Sequence, residues 1–218
     1  MNTPTSLEDL PFSDVDAVLH RAAERLATRF AGVFNPETVE RYVHESHTAL
    51  YRTARVRTHL PSLAEHFASD RLTALAQSKG AVEKTVPEVL FLCVANAGRS
   101  QMAAALLAHH ARGWVHVRSA GSAPGPDVEP HVVAVMAELG LKLDDAYPKP
   151  LTDDVVRAAD VVITMGCGDA CPVLPGKRYL DWAIADPAGA DLDQVRHIRD
   201  DIDTRVKALY AELTQERS

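Results

Sequence analysis

Residues 89–100 read VLFLCVANAGRS. The first four are apolar and rich in strand formers, which is typical of a buried parallel strand. The segment from Gly98 to His110 has the composition of a helix, and a short loop of small residues that starts at Cys93 joins the two. Strand, tight loop and helix in this order favour an anion site, because the N–H groups of the loop and of the helix start can converge on one ligand.

The side chains of this loop suggest chemistry as well as binding. Five residues separate Cys93 from Arg99, whose guanidinium can bind two oxygens of a tetrahedral oxyanion. Ser100 can donate a hydrogen bond to the sulfur, and the same positive surroundings favour the thiolate form of Cys93. Asn96 tolerates a left-handed backbone. The alternative is that Cys93 only ends a buried strand. The predicted anion-binding residues are Val94, Ala95, Asn96, Ala97, Gly98 and Arg99.

Strand and helix patterns alternate through the rest of the C-terminal part. Further strands are predicted over residues 115–119, 161–165 and 179–182, and further helices over residues 127–139, 152–158 and 193–213. This alternation indicates an α/β fold with a four-stranded parallel, doubly wound sheet. Sheets of this kind bind ligands at the carboxyl ends of their strands, where Cys93 is expected.

The N-terminal part follows a different pattern and predicts a small all-α domain. Its apolar residues have helical spacing in three segments, from Ser13 to Phe30, from Pro36 toward His59, and from Leu63 to Lys79. We therefore predict a three-helix bundle over residues 1–80, a linker over 81–86 and an α/β domain over 87–218.

Composition excludes several classes of protein. The chain has 218 residues and a net charge of -7, and its N-terminal part shows no excess of Lys and Arg, so nucleic-acid binding is not expected. No apolar run approaches the roughly 20 residues that span a bilayer, and the start of the sequence does not resemble a secretory signal. We expect a cytoplasmic protein whose three cysteines do not form a disulfide scaffold.

The stretch VLFLCVANAGRSQMAAALL resembles the low-molecular-weight protein tyrosine phosphatase family, and within it the arsenate reductase branch. The resemblance covers roughly residues 87–218. It implies that Cys93 is the nucleophile, that Arg99 binds the oxyanion, that Ser100 stabilises the thiolate and that Asn96 holds the loop in shape. It also implies arsenate as the substrate.

The family places an Asp-Pro pair on a loop that covers the anion, and here that pair is Asp186-Pro187. The resemblance implies that Asp186 is the acid that protonates the departing oxygen. The alternative is an ordinary turn, since Asp, Pro and Gly favour turns. Phosphatases of the family tend to carry aromatic residues just after the pair, whereas Ala188 and Gly189 follow here. This difference favours a small inorganic substrate.

Cys167 and Cys171 follow a predicted strand on a glycine-rich segment. A reductase needs thiols that accept the oxidation, and we predict a relay of disulfides from Cys93 to Cys167 to Cys171. The alternatives are structural cysteines or half of a metal site, although no usual ligand spacing supports a metal. Thioredoxin is the expected external reductant. The short spacing of the pair resembles the actinobacterial branch, which leaves mycothiol with mycoredoxin as the other reductant.

Two other functions remain open at this point. One is a phosphatase for phosphotyrosine or small phosphoesters, and the other is a non-catalytic arsenite or redox sensor. Residues 1–80 resemble a three-helix extension found in some actinobacterial arsenate reductases, and we expect a docking or dimerising role for them, with a homodimer as one outcome. No bound cofactor and no metal are expected.

Overall fold

The computed structural model describes residues 12–55, 57–166 and 172–215. The chain divides into two compact units, with the division between Glu83 and Lys84. Cys167 and Cys171, two members of the predicted relay, lie outside the described residues.

The first unit contains the three predicted helices. They are α1 (Phe12–Arg29), α2 (Pro36–Tyr51) and α3 (Leu60–Ser78). Asn35 caps α2, since its side chain accepts a hydrogen bond of 3.0 Å from the N–H of Thr38, and Pro36 fits the first turn because it needs no hydrogen-bond acceptor there. The helices share an apolar core in which Val39, Val43 and Leu72 are fully buried.

Helix α2 is shorter than the sequence analysis expects. It ends at Tyr51 rather than near His59. The buried face of α2 ends at Leu50, and the next residues include three exposed arginines, Arg52, Arg55 and Arg57. Helix α3 begins at Leu60, before the predicted start at Leu63, and Pro61 lies in its first turn, where proline is tolerated. Without an apolar face there is no packing energy to extend the helix.

The second unit is an α/β fold with a four-stranded sheet. Its strands are β1 (Glu88–Cys93), β2 (His116–Gly121), β3 (Val161–Met165) and β4 (Arg178–Asp181), and its helices are α4 (Arg99–Ala111), α5 (Pro130–Ala137), α6 (Asp153–Ala158) and α7 (Leu192–Gln215). The strand order is β2-β1-β3-β4, and every neighbouring pair is parallel. The predicted fold class is therefore confirmed.

Strand β1 lies at the centre of the fold and all six of its residues are buried. Its last residue, Cys93, is opposite Gly121 of β2 on one side and Met165 of β3 on the other. After β1 the chain forms β2 on one side of it and then β3 on its other side. The direction in which successive strands are added to the sheet therefore reverses at β1. Doubly wound sheets open a crevice at such a reversal, and the loop that starts at Cys93 lies there.

Helices cover both faces of the strands. One face packs into a core that includes Phe91, Met102, Val135 and Ile202, contributed by β1, α4, α5 and α7. Helix α6 lies against β1. Helix α5 begins at Pro130, later than predicted, because proline disfavours helical backbone in the preceding residue, Glu129.

None of the helices within residues 12–55, 57–166 and 172–215 combines the length and the apolar character that crossing a membrane requires.

Candidate functional site

Other parts of the chain bind the loop between β1 and α4 through hydrogen bonds to its carbonyl groups. Backbone N–H groups of the segment after β2 bind four of these carbonyls over 2.8–3.2 Å. The donors Ser122, Ala123, Gly125 and Glu129 bind the carbonyls of Cys93, Val94, Ala95 and Ala97, respectively. The carbonyl of Asn96 accepts from the side-chain amide of Gln101 at 3.0 Å. All five loop carbonyls from residue 93 to residue 97 are therefore bound to other parts of the chain.

This arrangement decides where the loop N–H groups point. In a trans peptide the N–H is opposite to the C=O, so carbonyls that face outward leave the amides facing the inside of the loop. The N–H of Asn96 shows this orientation, since it donates to Cys93 Sγ at 3.2 Å. Asn96 has φ of 49°, a left-handed conformation that closes the loop. The loop is thus a concave ring of donors around the sulfur.

The sulfur of Cys93 lies at the base of this ring. Cys93 is 2% exposed, and its Sγ is 2.9 Å from the hydroxyl oxygen of Ser100 at the start of α4. The side-chain amide nitrogen of Asn96 donates to the same hydroxyl oxygen at 2.8 Å. Hydrogen bonds of this kind stabilise a thiolate, and the N-terminus of α4 adds a favourable dipole.

Arg99 brings a positive charge to the ring. Its guanidinium is 10% exposed and makes an ion pair of 2.6 Å, Nη2 to Oδ2, with Asp186, whose side chain is 59% exposed. The other Asp186 oxygen accepts from the N–H of Ala188 at 3.1 Å, which is a local turn. The segment therefore forms the turn that was expected as the alternative. Asp186 also approaches the loop, so both expectations are met by the same segment.

Two close approaches show that the neighbouring loops pack against this site. A Cβ added to Gly98 would lie 2.5 Å from Cγ of Pro187, so the Asp186-Pro187 segment packs directly on the start of α4. Gly166, just after β3, has φ of 76°, and a Cβ there would lie 3.0 Å from Nη1 of Arg99. At position 98 an added Cβ would collide with the proline ring, and at position 166 the positive φ strains any residue other than glycine.

The structure brings together Cys93, Asn96, Arg99, Ser100 and Asp186, which the sequence analysis selected. Val94 is 39% exposed at the mouth of the ring. Cys167 and Cys171 lie outside the described residues, and the chain reaches them directly after Gly166. Within the described ranges, no group of three or more His, Cys, Asp and Glu side chains could hold a metal ion.

Sequence reasoning missed three residues that support the loop. Gln101 binds the Asn96 carbonyl, and Lys149 donates its backbone N–H to Asn96 Oδ1 at 2.8 Å. Gly121 lies so close that an added Cβ would be 2.6 Å from the Val94 carbonyl oxygen. The only signal for Gln101 is its place directly after Ser100, and nothing in the sequence indicates that Lys149 or Gly121 approaches the loop.

Such a site can bind a tetrahedral oxyanion and attack its central atom. The loop N–H groups and the Arg99 guanidinium offer hydrogen-bond donors to such an anion, the Cys93 sulfur lies at the base of the ring, and the Asp186 carboxylate is paired with Arg99. This is the chemistry of transfer to a thiolate.

Known proteins share both the sequence and the structure of the chain. Over 127 residues it is 38% identical to a putative arsenate reductase of Halobacterium salinarum, an alignment that covers 56% of this chain and 89% of the relative. Among solved structures, the thioredoxin-dependent arsenate reductase of Corynebacterium glutamicum has a TM-score of 0.83 and 50% identity, covering 92% of this chain and 98% of that one.

A more distant structural match is the YwlE arginine phosphatase of Geobacillus stearothermophilus, with a TM-score of 0.53 and 28% identity, which covers 60% of this chain and 95% of that one. Residues 19–76 match the N-terminal domain described as protein-tyrosine-phosphatase-like. Residues 88–218, which carry the whole ring around Cys93, match the model of the low molecular weight phosphotyrosine protein phosphatases. The chain therefore belongs to the low molecular weight phosphotyrosine protein phosphatase family.

Proposed function

We propose that the chain reduces arsenate to arsenite and that Cys93 is the nucleophile. The observation that carries the proposal is the environment of Cys93 Sγ, with Ser100 Oγ at 2.9 Å and the Asn96 N–H at 3.2 Å inside a ring of inward-facing amides. The choice of arsenate is supported by 50% identity to a thioredoxin-dependent arsenate reductase over 92% of the chain.

The first step is attack of the Cys93 thiolate on arsenic. Arsenate binds through Arg99 and the loop amides, a sulfur–arsenic bond forms, and one oxygen leaves as water after Asp186 supplies a proton. The ion pair between Asp186 and Arg99 supports this role, because the carboxyl group lies beside the cation that binds the substrate. At this stage arsenic is still pentavalent.

The second step moves two electrons. The Cys167 thiolate attacks the sulfur of Cys93, the sulfur–arsenic bond breaks with its electron pair on arsenic, and arsenite leaves as a Cys93–Cys167 disulfide forms. Cys171 then attacks Cys167, which frees Cys93 and leaves a Cys167–Cys171 disulfide. The sheet register supports this order, because Cys93 is opposite Met165, and Gly166, the residue before Cys167, lies so near Arg99 that an added Cβ would be 3.0 Å from its Nη1.

The electrons come from an external dithiol, and we propose thioredoxin. Support comes from the Corynebacterium glutamicum relative, which is thioredoxin-dependent; mycothiol with mycoredoxin is the alternative. We place the reaction in the cytoplasm. We also propose that residues 87–218 form the catalytic domain and that residues 1–80 form a docking or dimerising bundle, joined to it by residues 81–86.

Phosphoester hydrolysis is a second candidate activity. Attack of Cys93 on phosphorus needs the same ring and the same acid, and the YwlE arginine phosphatase, 28% identical, shares the fold. Ala188 and Gly189 follow Asp186-Pro187 and offer no ring for an aryl leaving group, which favours arsenate. The third reading, a sensor, predicts arsenite binding through the thiols without turnover.

The test is coupled turnover with matched variants. Arsenate-dependent oxidation of NADPH is followed with thioredoxin and thioredoxin reductase, beside hydrolysis of p-nitrophenyl phosphate by the same protein. We expect arsenate turnover with little hydrolysis, and no turnover by Cys93→Ser. Hydrolysis without arsenate turnover would establish the phosphatase, and arsenite binding without either reaction would establish the sensor.

The relay is tested by Cys171→Ser. Without the last thiol the Cys93–Cys167 disulfide cannot be passed on, so we expect one arsenite released per chain and then no cycling with thioredoxin. Undiminished cycling of this variant would contradict the assignment of Cys171.

A further inference from the structure

Gln101 occupies an unusual position at the start of α4. It is 5% exposed, and its side-chain nitrogen lies near three oxygens, at 3.0 Å from the carbonyl of Asn96, 3.1 Å from Oδ1 of Asn96 and 3.0 Å from the carbonyl of Tyr147. Two of these are backbone carbonyls, which only accept hydrogen bonds. The amide must therefore present its NH₂ group to them, and its orientation is fixed.

Two donors fix the orientation of Asn96, the Gln101 NH₂ group and the backbone N–H of Lys149. The Asn96 side-chain atom that faces the Gln101 NH₂ group must be an acceptor, and the same atom accepts from the backbone N–H of Lys149 at 2.8 Å. Oδ1 is therefore the atom on this side. The Asn96 NH₂ group then points the other way, at 2.8 Å from Ser100 Oγ.

The orientation of Asn96 fixes the proton of Ser100. The serine hydroxyl accepts the hydrogen bond from Asn96, so its single proton remains for the other neighbour, Cys93 Sγ at 2.9 Å. The hydroxyl therefore donates to the sulfur. A hydrogen bond donated to sulfur stabilises the thiolate, the form that attacks, relative to the thiol.

We propose that Gln101 is a positioning residue for Cys93, because together with the backbone N–H of Lys149 it sets the direction of the hydrogen bonds through Asn96 and Ser100 so that the nucleophilic sulfur accepts rather than donates. Gln101 also joins the loop to the segment around Tyr147, 46 residues away. It does not touch the anion or the sulfur. The inference rests on the proposed role of Cys93 as the nucleophile.

The test measures the thiolate directly. In a Cys167→Ser/Cys171→Ser background Cys93 is the only cysteine, and its rate of alkylation by iodoacetamide is followed against pH. Gln101→Leu removes the donor at similar size, and Gln101→Glu keeps the shape but places oxygens against the three acceptors. Leu106→Ala, a fully buried position further along α4, is the control for loss of stability alone.

We expect the pH of half-maximal alkylation to rise by about one unit in Gln101→Leu, which is about tenfold less thiolate at any pH well below both midpoints, and by at least as much in Gln101→Glu. Leu106→Ala should keep the midpoint of the parent while urea unfolding shows its lower stability. In arsenate turnover by the otherwise unchanged chain, Gln101→Leu should lower kcat and leave KM within about twofold.

Two results would overturn the inference. One is a midpoint in both Gln101 variants equal to that of the parent, and the other is an equal rise in Leu106→Ala. If the parent itself is alkylated like a free thiol, near pH 8.5, then Cys93 is not an activated nucleophile, and the proposed function fails together with the role of Gln101.

Discussion

Gly121→Ala is expected to damage the site by moving the loop rather than by removing a functional group. Gly121 ends β2 opposite Cys93, and its N–H and C=O bind the backbone of Lys149 and Leu151 at 2.8 and 2.9 Å. It is thus held on two sides and cannot retreat. An added Cβ would lie 2.6 Å from the Val94 carbonyl oxygen and 3.0 Å from the backbone nitrogen of Asn96.

The size of the effect follows from these distances. The closest comfortable approach of a carbon to a carbonyl oxygen is about 3.3 Å, so the loop must move by roughly 0.7 Å. A displacement of about 1 Å at a catalytic group costs about 10²-fold in rate. We therefore expect kcat/KM for arsenate to fall between about 10- and 100-fold, with a stability loss of about 1–3 kcal/mol from overpacking.

The assay is coupled turnover of arsenate, with urea unfolding as the measure of stability. Gly125→Ala is the matched control, because Gly125 also contacts the loop but an added Cβ there would meet nothing closer than 3.6 Å. Its kinetics should remain within about twofold of the parent. Equal kcat/KM values for the two variants would refute the reasoning that a Cβ at position 121 displaces the loop.

The remaining predictions concern two aspartates. Asp186→Asn frees Arg99 from its ion pair, so inorganic phosphate should bind at least as tightly by calorimetry, while kcat for arsenate falls by about 10²-fold or more; weaker phosphate binding would contradict this. Burial raises the pKa of Asp203, but hydrogen bonds from Lys207 and His110 outweigh it, and the pKa lies below its usual value. Such a carboxylate stabilises the fold above the unfolded-state pKa of about 3.9, and the stabilisation is lost as pH falls through the lower folded-state pKa. Asp203→Asn should therefore lower Tm by about 1–3 °C at pH 7, with the difference from the parent closing below about pH 4; a pH-independent gap would show that the charge is not its cause.

Local signals were sufficient for the central part of the fold. The apolar run of β1, the small residues after it and the helix start of α4 are consecutive in the chain, so the sequence alone predicts a loop at the end of a buried strand. The parallel sheet follows from alternation of strands and helices. Asn35 and Pro36 similarly mark the start of α2, because capping depends on neighbours only three residues apart.

Contacts between residues that are far apart in the sequence could not be predicted in the same way. Gly121 and Lys149 reach the loop only because β2 and the segment after α5 return beside β1, and no local pattern carries that information. The end of α2 was misplaced for a related reason. The length of α2 depends on how far its apolar face packs against a partner, and that face ends at Leu50. The residues beyond Leu50 have helix propensities that would allow the helix to continue, so the sequence does not mark its end.

The hydrogen bonds to the five carbonyls of the loop between β1 and α4 have a consequence for the cell. Since five carbonyls are bound to the rest of the chain, the ring is finished before any anion arrives, and it recognises only a tetrahedral shape and negative charge. Phosphate has both, so we expect it to compete with arsenate for the ring. Discrimination then comes after entry, because a thiol can transfer electrons to pentavalent arsenic but not to pentavalent phosphorus. The rate of detoxification should accordingly follow the ratio of the two anions rather than the arsenate concentration alone.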